Sequence, residues 1–343
     1  MIKKILDKTV SVVIPCKNEK NYIQKCLDSF INQSYHKELY EILVCDGMST
    51  DGTREIVKEY TKKHNNIKLL DNIGITAPKA MNIGIKNSNS DIVVIFGAHA
   101  EAHFDFIKNN VEKLMKDNVH CSGGPIETVS DSNIGKAISL STSSPFGVGN
   151  ALFRYSKEEK FVDTVAFGAY KREVFHKIGY FNEELTRAQD FEFNFRLTQN
   201  KLNILLSPDI KSKYYSRSSL KNLWNQYYQY GFWKPKIIKE YKKIASIRHI
   251  IPTLFVFYNI LSLIGSIFSG IFFYQWLAFM SLYFILDAIV SFKLSKKEIN
   301  LFPLCCIVFP ILHVSYGVGF IVGYIAFSLN FDALIKNNTK ITR

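Results

Sequence analysis

The chain has 343 residues, 47% hydrophobic and 21% charged, which excludes disorder, collagen and a single long coiled coil as descriptions of the whole. Its net charge of +13 is concentrated: residues 211–249 hold ten Lys/Arg against one acid, Glu240. From residue 250 onward, six Lys/Arg and three Asp/Glu punctuate long apolar runs, so a soluble part and a membrane part are expected. The basic block is read as facing anionic lipid, with a solvated helix face as the other reading; nucleic acid is not expected as a partner, because no nucleic-acid module accompanies the charge.

Residues 10–14 form a short β-branched run closed by Pro15, after which Tyr22, Ile23, Cys26, Leu27 and Phe30 recur at helical spacing. Residues 40–45 predict a second strand, and Ile56, Val57 and Tyr60 mark a helix beyond the turn-rich 46–53. A third strand at 67–70, a third helix at 78–87 and a fourth strand at 91–96 follow. Strands separated by helices of this length make a parallel, doubly wound sheet, in which ligands bind beyond the carboxyl ends of the strands. Polar clusters fall there: Asn18 and Glu19 after the first strand, Asp46 to Asp51 after the second, His99 and Glu101 after the fourth. Each cluster alone also suits a turn.

The cysteines, Cys16, Cys26, Cys45, Cys121, Cys305 and Cys306, form no Cys-x-x-Cys pair, and three of them fall in or beside apolar stretches of the first half, which predicts buried, reduced thiols. The apolar run after Lys3 and Lys4 is too short for a signal-peptide core, so the soluble part is expected to stay in the cytoplasm.

Three stretches, Val-Val-Ile-Pro-Cys-Lys-Asn-Glu at 12–19, Asp-Gly-Met-Ser-Thr-Asp-Gly-Thr at 46–53 and Lys-Ala-Met-Asn-Ile-Gly at 79–84, resemble the nucleotide half of family 2 glycosyltransferases. Ser-Pro-Phe-Gly-Val-Gly-Asn at 144–150, Val-Asp-Thr-Val-Ala-Phe-Gly at 162–168 and Arg-Ala-Gln-Asp-Phe-Glu-Phe-Asn at 187–194 are similar to the succinoglycan-biosynthesis subgroup. The resemblance implies an α/β GT-A domain, Rossmann-like with a mostly parallel sheet, over residues 1–210. A basic amphipathic juxtamembrane segment at 211–249, transmembrane helices within 250–330 and a polar tail at 331–343 are expected to follow it. The implied protein is a multi-pass enzyme of the inner membrane. It would move a sugar, with inversion, from a nucleotide-diphosphate sugar, UDP-sugar foremost, to a lipid-linked or growing saccharide of bacterial surface polysaccharide.

By the same resemblance, Pro15, Asn18, Glu19, Asp46, Asp51, Lys79 and Asn82 hold the nucleotide, Asn150, Gln189 and Trp233 the acceptor, and Asp190 is the catalytic carboxylate. A sugar hydroxyl is a poor nucleophile near neutral pH and needs a carboxylate to take its proton. Asp190 also suits a helix N-cap. Two alternatives stand beside this reading: a polyprenyl-phosphate sugar synthase, whose anionic acceptor needs no base, and a catalytically silent nucleotide-sugar-binding scaffold of a polysaccharide-assembly complex.

Two departures from the family pattern stand out. Its Asp-x-Asp, which binds ribose and a divalent metal, reads Gly97-Ala98-His99 here. His99 stands at the metal-side position, with Glu101 and His103 alternating beyond it either as further ligands or, the favoured reading, as solvated loop residues, and the use of Mg²⁺ or Mn²⁺ stays open. In the Gln-x-x-Arg-Trp segment, Gln229 and Tyr230 replace the Arg and Trp, leaving Lys234 and Arg187 as substitutes for the arginine that faces the departing diphosphate. Trp224, Tyr230 and Trp233 suit either an interface helix or a platform for a sugar ring.

In the membrane part, residues 250–267 and 271–292 each approach the roughly 20 apolar residues that cross a bilayer. Residues 301–329 are interrupted by Pro303, Pro310 and several glycines, and a third crossing would place Lys336, Lys340 and Arg343 outside, against the positive-inside rule. The third run is therefore expected to be broken or re-entrant. Asp287 and His313, in apolar surroundings, are expected to pack against a neighbouring helix.

Overall fold

The computed structural model describes residues 7–216, 219–243 and 247–339; Lys3, Lys4, Arg217, Lys340 and Arg343, which entered the charge reading, lie outside them. The expected alternation is present from β1 (Val10–Cys16) through α1 (Ile23–Ile31), β2 (Tyr40–Asp46), α2 (Thr53–Lys63), β3 (Ile67–Asp71) and α3 (Ala77–Lys86) to β4 (Ile92–Ile95). Next come β5 (Ala100–Ala102), α4 (Phe106–Leu114), β6 (Cys121–Gly124), β7 (Ile126–Val129), α5 (Asn133–Thr142) and α6 (Pro145–Val148). The chain continues with β8 (Lys160–Val162), β9 (Ala166–Lys171), α7 (Arg172–Ile178), α8 (Gln189–Gln199), β10 (Ile204–Leu206) and β11 (Ser212–Tyr215). The remainder is helical: α9 (Leu220–Tyr241), α10 (Ile251–Gly265), α11 (Gly270–Leu294), α12 (Phe302–Ser328) and α13 (Asp332–Asn338).

Two compact units divide the chain, residues 1–127 with 152–215 and residues 128–151 with 216–343. The division differs from the expected boundary at residue 210 because α5 buries Ala137 and Ile138 against Cys305, Val308 and Leu312 of α12.

In the first unit, eight strands form one sheet in the order β3-β2-β1-β4-β9-β6-β10-β8. Strand β1 pairs in parallel with β2 and β4, and β2 with β3. Only β8 and β9 run against the rest, so the sheet is mostly parallel. Both faces are covered, which is why the strands read as continuous apolar runs. Val12 and Ile14 face a core shared with Ile23, Leu27 and Phe30 of α1, whereas Val13 faces the core of Ala80, Met81 and Ile85 of α3. From β1 the chain moves outward to β2 and β3, then returns to place β4 on the other side of β1. That reversal opens a crevice at the carboxyl ends of the strands. Pro15 tolerates its missing N–H there: β1 pairs with β4 only from Val10 to Val13, and at Pro15 the sole ladder partner is Cys45.

In the second unit, α10, α11 and α12 with their flanking turns are long and apolar enough to cross a membrane. Contrary to the expected break, α12 is one continuous helix with Pro310 inside it, and Pro303 sits in its first turn, where a missing N–H is tolerated. Glycines let α9 lie directly on it: a Cβ at Gly231 would stand 2.1 Å from the Tyr316 carbonyl, and one at Gly323 2.1 Å from that of Phe232. Cys16, Cys26, Cys45, Cys121 and Cys305 are buried free thiols, while Cys306 is half-buried.

Helix α3 is seated equally closely in the first unit, since a Cβ at Gly84 would lie 2.3 Å from Val13 Cγ1. Gly84→Ala should therefore cost about 1–3 kcal/mol through overpacking. The effect is read as a lowered melting temperature of the detergent-solubilised protein, and an unchanged value would contradict this packing.

Candidate active site

At the carboxyl edge of the sheet, the loop after β1 and the loop after β2 are laced together. Asn18 donates its amide to Ser49 Oγ at 2.8 Å, and its Oδ1 accepts from the Thr50 amide at 3.0 Å. The Glu19 amide donates to Thr53 Oγ1 at 2.8 Å, the Lys20 amide to Asp51 Oδ2 at 3.1 Å, and the Gly47 amide to the Cys16 carbonyl at 2.7 Å. Gly47 packs closely here, since a Cβ would sit 3.0 Å from the Ile75 carbonyl, which comes from the loop after β3. Lys79 folds back over that loop and lies where a side chain on Gly74 would be. Pro15, Asn18, Glu19, Asp51 and Lys79 are thus gathered at one edge.

Asp46 belongs to the same edge but does not present its carboxylate to a ligand as expected. It is fully buried and accepts from the Ser49 amide at 2.9 Å and from Arg54 Nη1 at 2.8 Å. Arg54 Nη2 donates to Asp71 Oδ1 at 2.7 Å. Asp46 and Asp71 are register partners on adjacent strands, so one guanidinium neutralises two strand ends. Asp46 therefore shapes the loop, and Asp51 is the more accessible acid. Partial burial works against the Asp51 carboxylate, but hydrogen bonds from the Thr53 hydroxyl and from the Lys20 and Thr53 amides outweigh it and hold its carboxyl below the ordinary range.

Asn82 departs further from expectation. It is 3% exposed, donates to the Phe181 carbonyl at 2.9 Å and to Glu183 Oε1 at 2.8 Å, and accepts from the Phe181 amide at 3.0 Å. All its polar atoms are engaged in pinning the 181–183 segment to α3, so it is a structural residue.

His99 follows β4, with Nδ1 3.4 Å from Glu19 Oε1 and its ring edge-on to Tyr214 at 5.0 Å. The expected ligand cluster is not assembled: Glu101 accepts from the Tyr215 hydroxyl across the β5–β11 pair, and His103 Nδ1 accepts from the Asp105 amide at 3.4 Å. Gly97 stands against Phe167, whose ring would lie 3.0 Å from an added Cβ. The ring thus crowds the space of the family's first carboxylate. Beyond Tyr214 lies a cation the sequence did not reveal: the Arg154 guanidinium is 5.9 Å from the Tyr214 ring centre. No motif spacing marked it, since it reaches the edge only through the fold.

Backbone strain concentrates at the same edge. Asn18, Met48, Ile75 and Phe167 all hold positive φ, at 53°, 58°, 66° and 50°. A β-branched residue such as Ile75 is rarely found in that region, and outliers of this kind gather at functional sites.

Asp190 is in the first turn of α8, behind Ala188, which holds φ at +60°. One turn later on the same face, the buried Asn194 donates to Thr164 Oγ1 at 2.9 Å and accepts from the Tyr170 hydroxyl at 3.0 Å. Thr164 immediately precedes β9, whose reversed direction brings its first residues to the carboxyl edge beside Gly97. Asp190 is exposed to solvent. Desolvation raises its carboxyl to about 6, a shift that the water reaching it can only reduce. Its neighbour Gln189 keeps Oε1 buried with no hydrogen-bond partner among the described residues.

Trp233 does not offer a platform. It is 1% exposed in the second unit, where it packs on Phe327 and donates Nε1 to Gln229 Oε1 at 3.2 Å. Lys234 is likewise buried there. Asn150, also in the second unit, accepts from Arg248 Nη1 through its carbonyl at 2.9 Å and its Oδ1 at 2.8 Å.

Residues 11–179 match the family described as Glycosyl transferase family 2. The chain is 35% identical over 324 residues to the dolichyl N-acetyl-alpha-D-glucosaminyl phosphate 3-beta-D-2,3-diacetamido-2,3-dideoxy-beta-D-glucuronosyltransferase of Methanococcus voltae, an alignment covering 92% of this chain and 97% of that one. It belongs to glycosyl transferase family 2. A second relative, succinoglycan biosynthesis protein ExoA of Rhizobium meliloti, is 25% identical over 243 residues, or 70% of this chain and 73% of that protein. The mannosyltransferase PcManGT from Pyrobaculum calidifontis, solved with GDP-Man and Mn²⁺, superposes with a TM-score of 0.58 at 16% identity, covering 92% of this chain and 87% of that one. That likeness confirms the GT-A fold, and the protein is a glycosyltransferase.

The Pyrobaculum structure carries Mn²⁺. Among the described residues of this family 2 enzyme, no three His, Cys, Asp or Glu side chains come close enough to hold a metal ion. The crowding of Gly97 by Phe167 and the engagement of Glu101 by Tyr215 account for this, and these side chains do not make a divalent site by themselves.

Because Arg54 compensates the buried Asp46, Arg54→Met should destabilise the first unit by about 3–5 kcal/mol, the cost of stranding one partner of a buried pair. A melting temperature equal to that of the unaltered protein would show that Asp46 does not depend on it.

Proposed function

We propose that this family 2 enzyme transfers a sugar, with inversion, from a uridine diphosphate sugar to a hydroxyl of a lipid-linked saccharide at the membrane. The observation that carries the reading is Asp190, a solvent-reachable carboxylate with a raised proton affinity, on the helix face that leads to the carboxyl edge of the sheet. The Methanococcus relative supports the acceptor class, since its name specifies a dolichyl-borne N-acetylglucosaminyl phosphate and it aligns over 92% of this chain, apolar helices included. A uridine donor rests on the resemblance of the Asp-Gly-x-Ser-x-Asp-Gly loop, in which Asp51 would accept from a ribose hydroxyl.

In the reaction, Asp190 takes the proton of the acceptor hydroxyl while that oxygen attacks the anomeric carbon and the nucleoside diphosphate departs from the opposite face. The leaving group takes the bonding electrons, so cations aimed at it stabilise the transition state. Lys79 and Arg154 fill that role in this reading, and Arg154 takes the place of the arginine missing from the Gln229–Tyr230 segment. The unpartnered Gln189 Oε1 beside Asp190 suits an acceptor hydroxyl donor.

A carboxylate base works only when deprotonated. Activity should therefore fall as pH drops through about 6, and Asp190→Asn should lower kcat by about 10²- to 10⁴-fold and abolish that acid limb. Equal rates for the two proteins would remove Asp190 from the chemistry. The assay uses membranes carrying the full chain, a panel of nucleotide sugars, and lipid-linked saccharide compared with bare polyprenyl phosphate.

Arg154→Ala should raise the KM for the donor about 10- to 100-fold, the scale of one charge-assisted hydrogen bond, and weaken binding of free UDP in parallel. Unchanged UDP binding would separate Arg154 from the diphosphate.

A further inference from the structure

The three apolar helices differ in what covers them. Helices α10 and α11 lead away from a shared base and meet at a turn whose residues Ile267 and Phe268 are 78% and 82% exposed. In α11 the buried residues are Tyr283, Asp287 and Ser291, all in its second half; the first half, toward the turn, buries none. Helix α12 has buried residues at intervals along its length, from Cys305 to Phe327, with Ile307, Tyr324 and Ile325 exposed between them.

The contacts of α12 with the hairpin run from the base to the middle of α11. Gly317 lies on the Pro252 carbonyl and Val256, His313 meets Phe255 and accepts or donates at 2.8 Å with the Tyr283 hydroxyl, and Phe302 meets Phe292. Along α10 the partners run from Phe255 back to Pro252 as α12 advances from His313 to Gly317. Along α11 the partners run from Phe292, at Phe302, up to Tyr283, at His313, so α12 crosses the hairpin as far as the middle of α11 and then leaves it for α9. Its last third lies on α9: Gly319 on the Tyr228 carbonyl, Gly323 on that of Phe232, Phe327 on Trp233, and the Phe327 carbonyl accepts from Lys239 Nζ at 2.6 Å.

Helix α9 carries Lys221, Lys234, Lys236, Lys239 and Glu240. So many ionisable groups are costly in hydrocarbon, and α12 is locked to them by glycine contacts too close to separate. The hairpin, in contrast, has no charged residue between Pro252 and Leu286. Its two ends are basic, with Lys242, Lys243 and Arg248 before α10 and Lys293, Lys296 and Lys297 after α11. Aromatic Tyr274 and Trp276 stand near the turn, about 25–30 Å of helix from Lys293.

We infer that the chain crosses the bilayer twice, through the α10–α11 hairpin alone, and that α12 lies with α9 at the basic membrane face instead of crossing. The occupant of the exposed hairpin surface is the lipid core, and anionic headgroups face its basic ends. The arrangement removes the conflict with the positive-inside rule, because the segment after α12 returns to the side of the basic loops. It does not depend on the catalytic reading.

The test places one epitope at the N-terminus and another at the C-terminus of the full chain and treats sealed membrane vesicles of known orientation with protease. Both epitopes should be cleaved, or both protected, in the same vesicles. The Ser269→Cys variant should react with a membrane-impermeant maleimide from the opposite side. A C-terminal epitope on the side opposite the N-terminal one would overturn the inference in favour of three crossings. Failure of the Ser269→Cys variant to react from either side would overturn it in favour of a hairpin that enters and does not cross.

Discussion

Two parallel strands, β2 and β3, end side by side in aspartates, Asp71 exposed and Asp46 fully buried, and the buried charge must be compensated. Arg54 resolves the problem by standing between them, with Asp46 fully buried on one side and Asp71 on the other. Once Asp46 is fixed, Ser49 is fixed on it, and through Ser49 the loop after β1. Asn18 and its neighbour Glu19, which His99 approaches at 3.4 Å, thus sit on a loop tied to that ion pair through Ser49. Residues that resemble binding groups in a motif divide, in the fold, into those that face the crevice and those that hold it open. Asp46 and Asn82 belong to the second kind.

The fold of the first unit was largely legible in the chain. The alternation of β-branched runs with helical spacing located β1 to β4 and α1 to α3 within a few residues, because strands covered on both faces carry few polar interruptions. The later half was not legible in the same way. Strands β8 and β10 have three residues each, too few for any period to show, and β9 is placed by its antiparallel pairing across the sheet. Nor could sequence order reveal that residues 128–151 cluster with the apolar helices, since that depends on Ala137 and Ile138 meeting a helix more than 160 residues away.

The candidate site shows the same limit at the scale of single residues. Asp190, Asp51 and Lys79 could be named as candidates from motif position alone, and the fold places Asp51 and Lys79 at the carboxyl edge of the sheet and Asp190 in the first turn of α8. Arg154 could not, since its only signal is a ring contributed by β11. Trp233 and Pro310 misled for a related reason. An aromatic on a basic helix reads as a surface feature and a proline in an apolar run reads as a break, until a glycine-lined partner helix buries the one and supports the other.

The contact between Gly97 and Phe167 bears on how this sequence can change. A ring and a carboxylate compete for one volume, so neither position is free to drift alone: an acid restored at 97 meets the ring, and a smaller residue at 167 leaves a void beside a bare glycine.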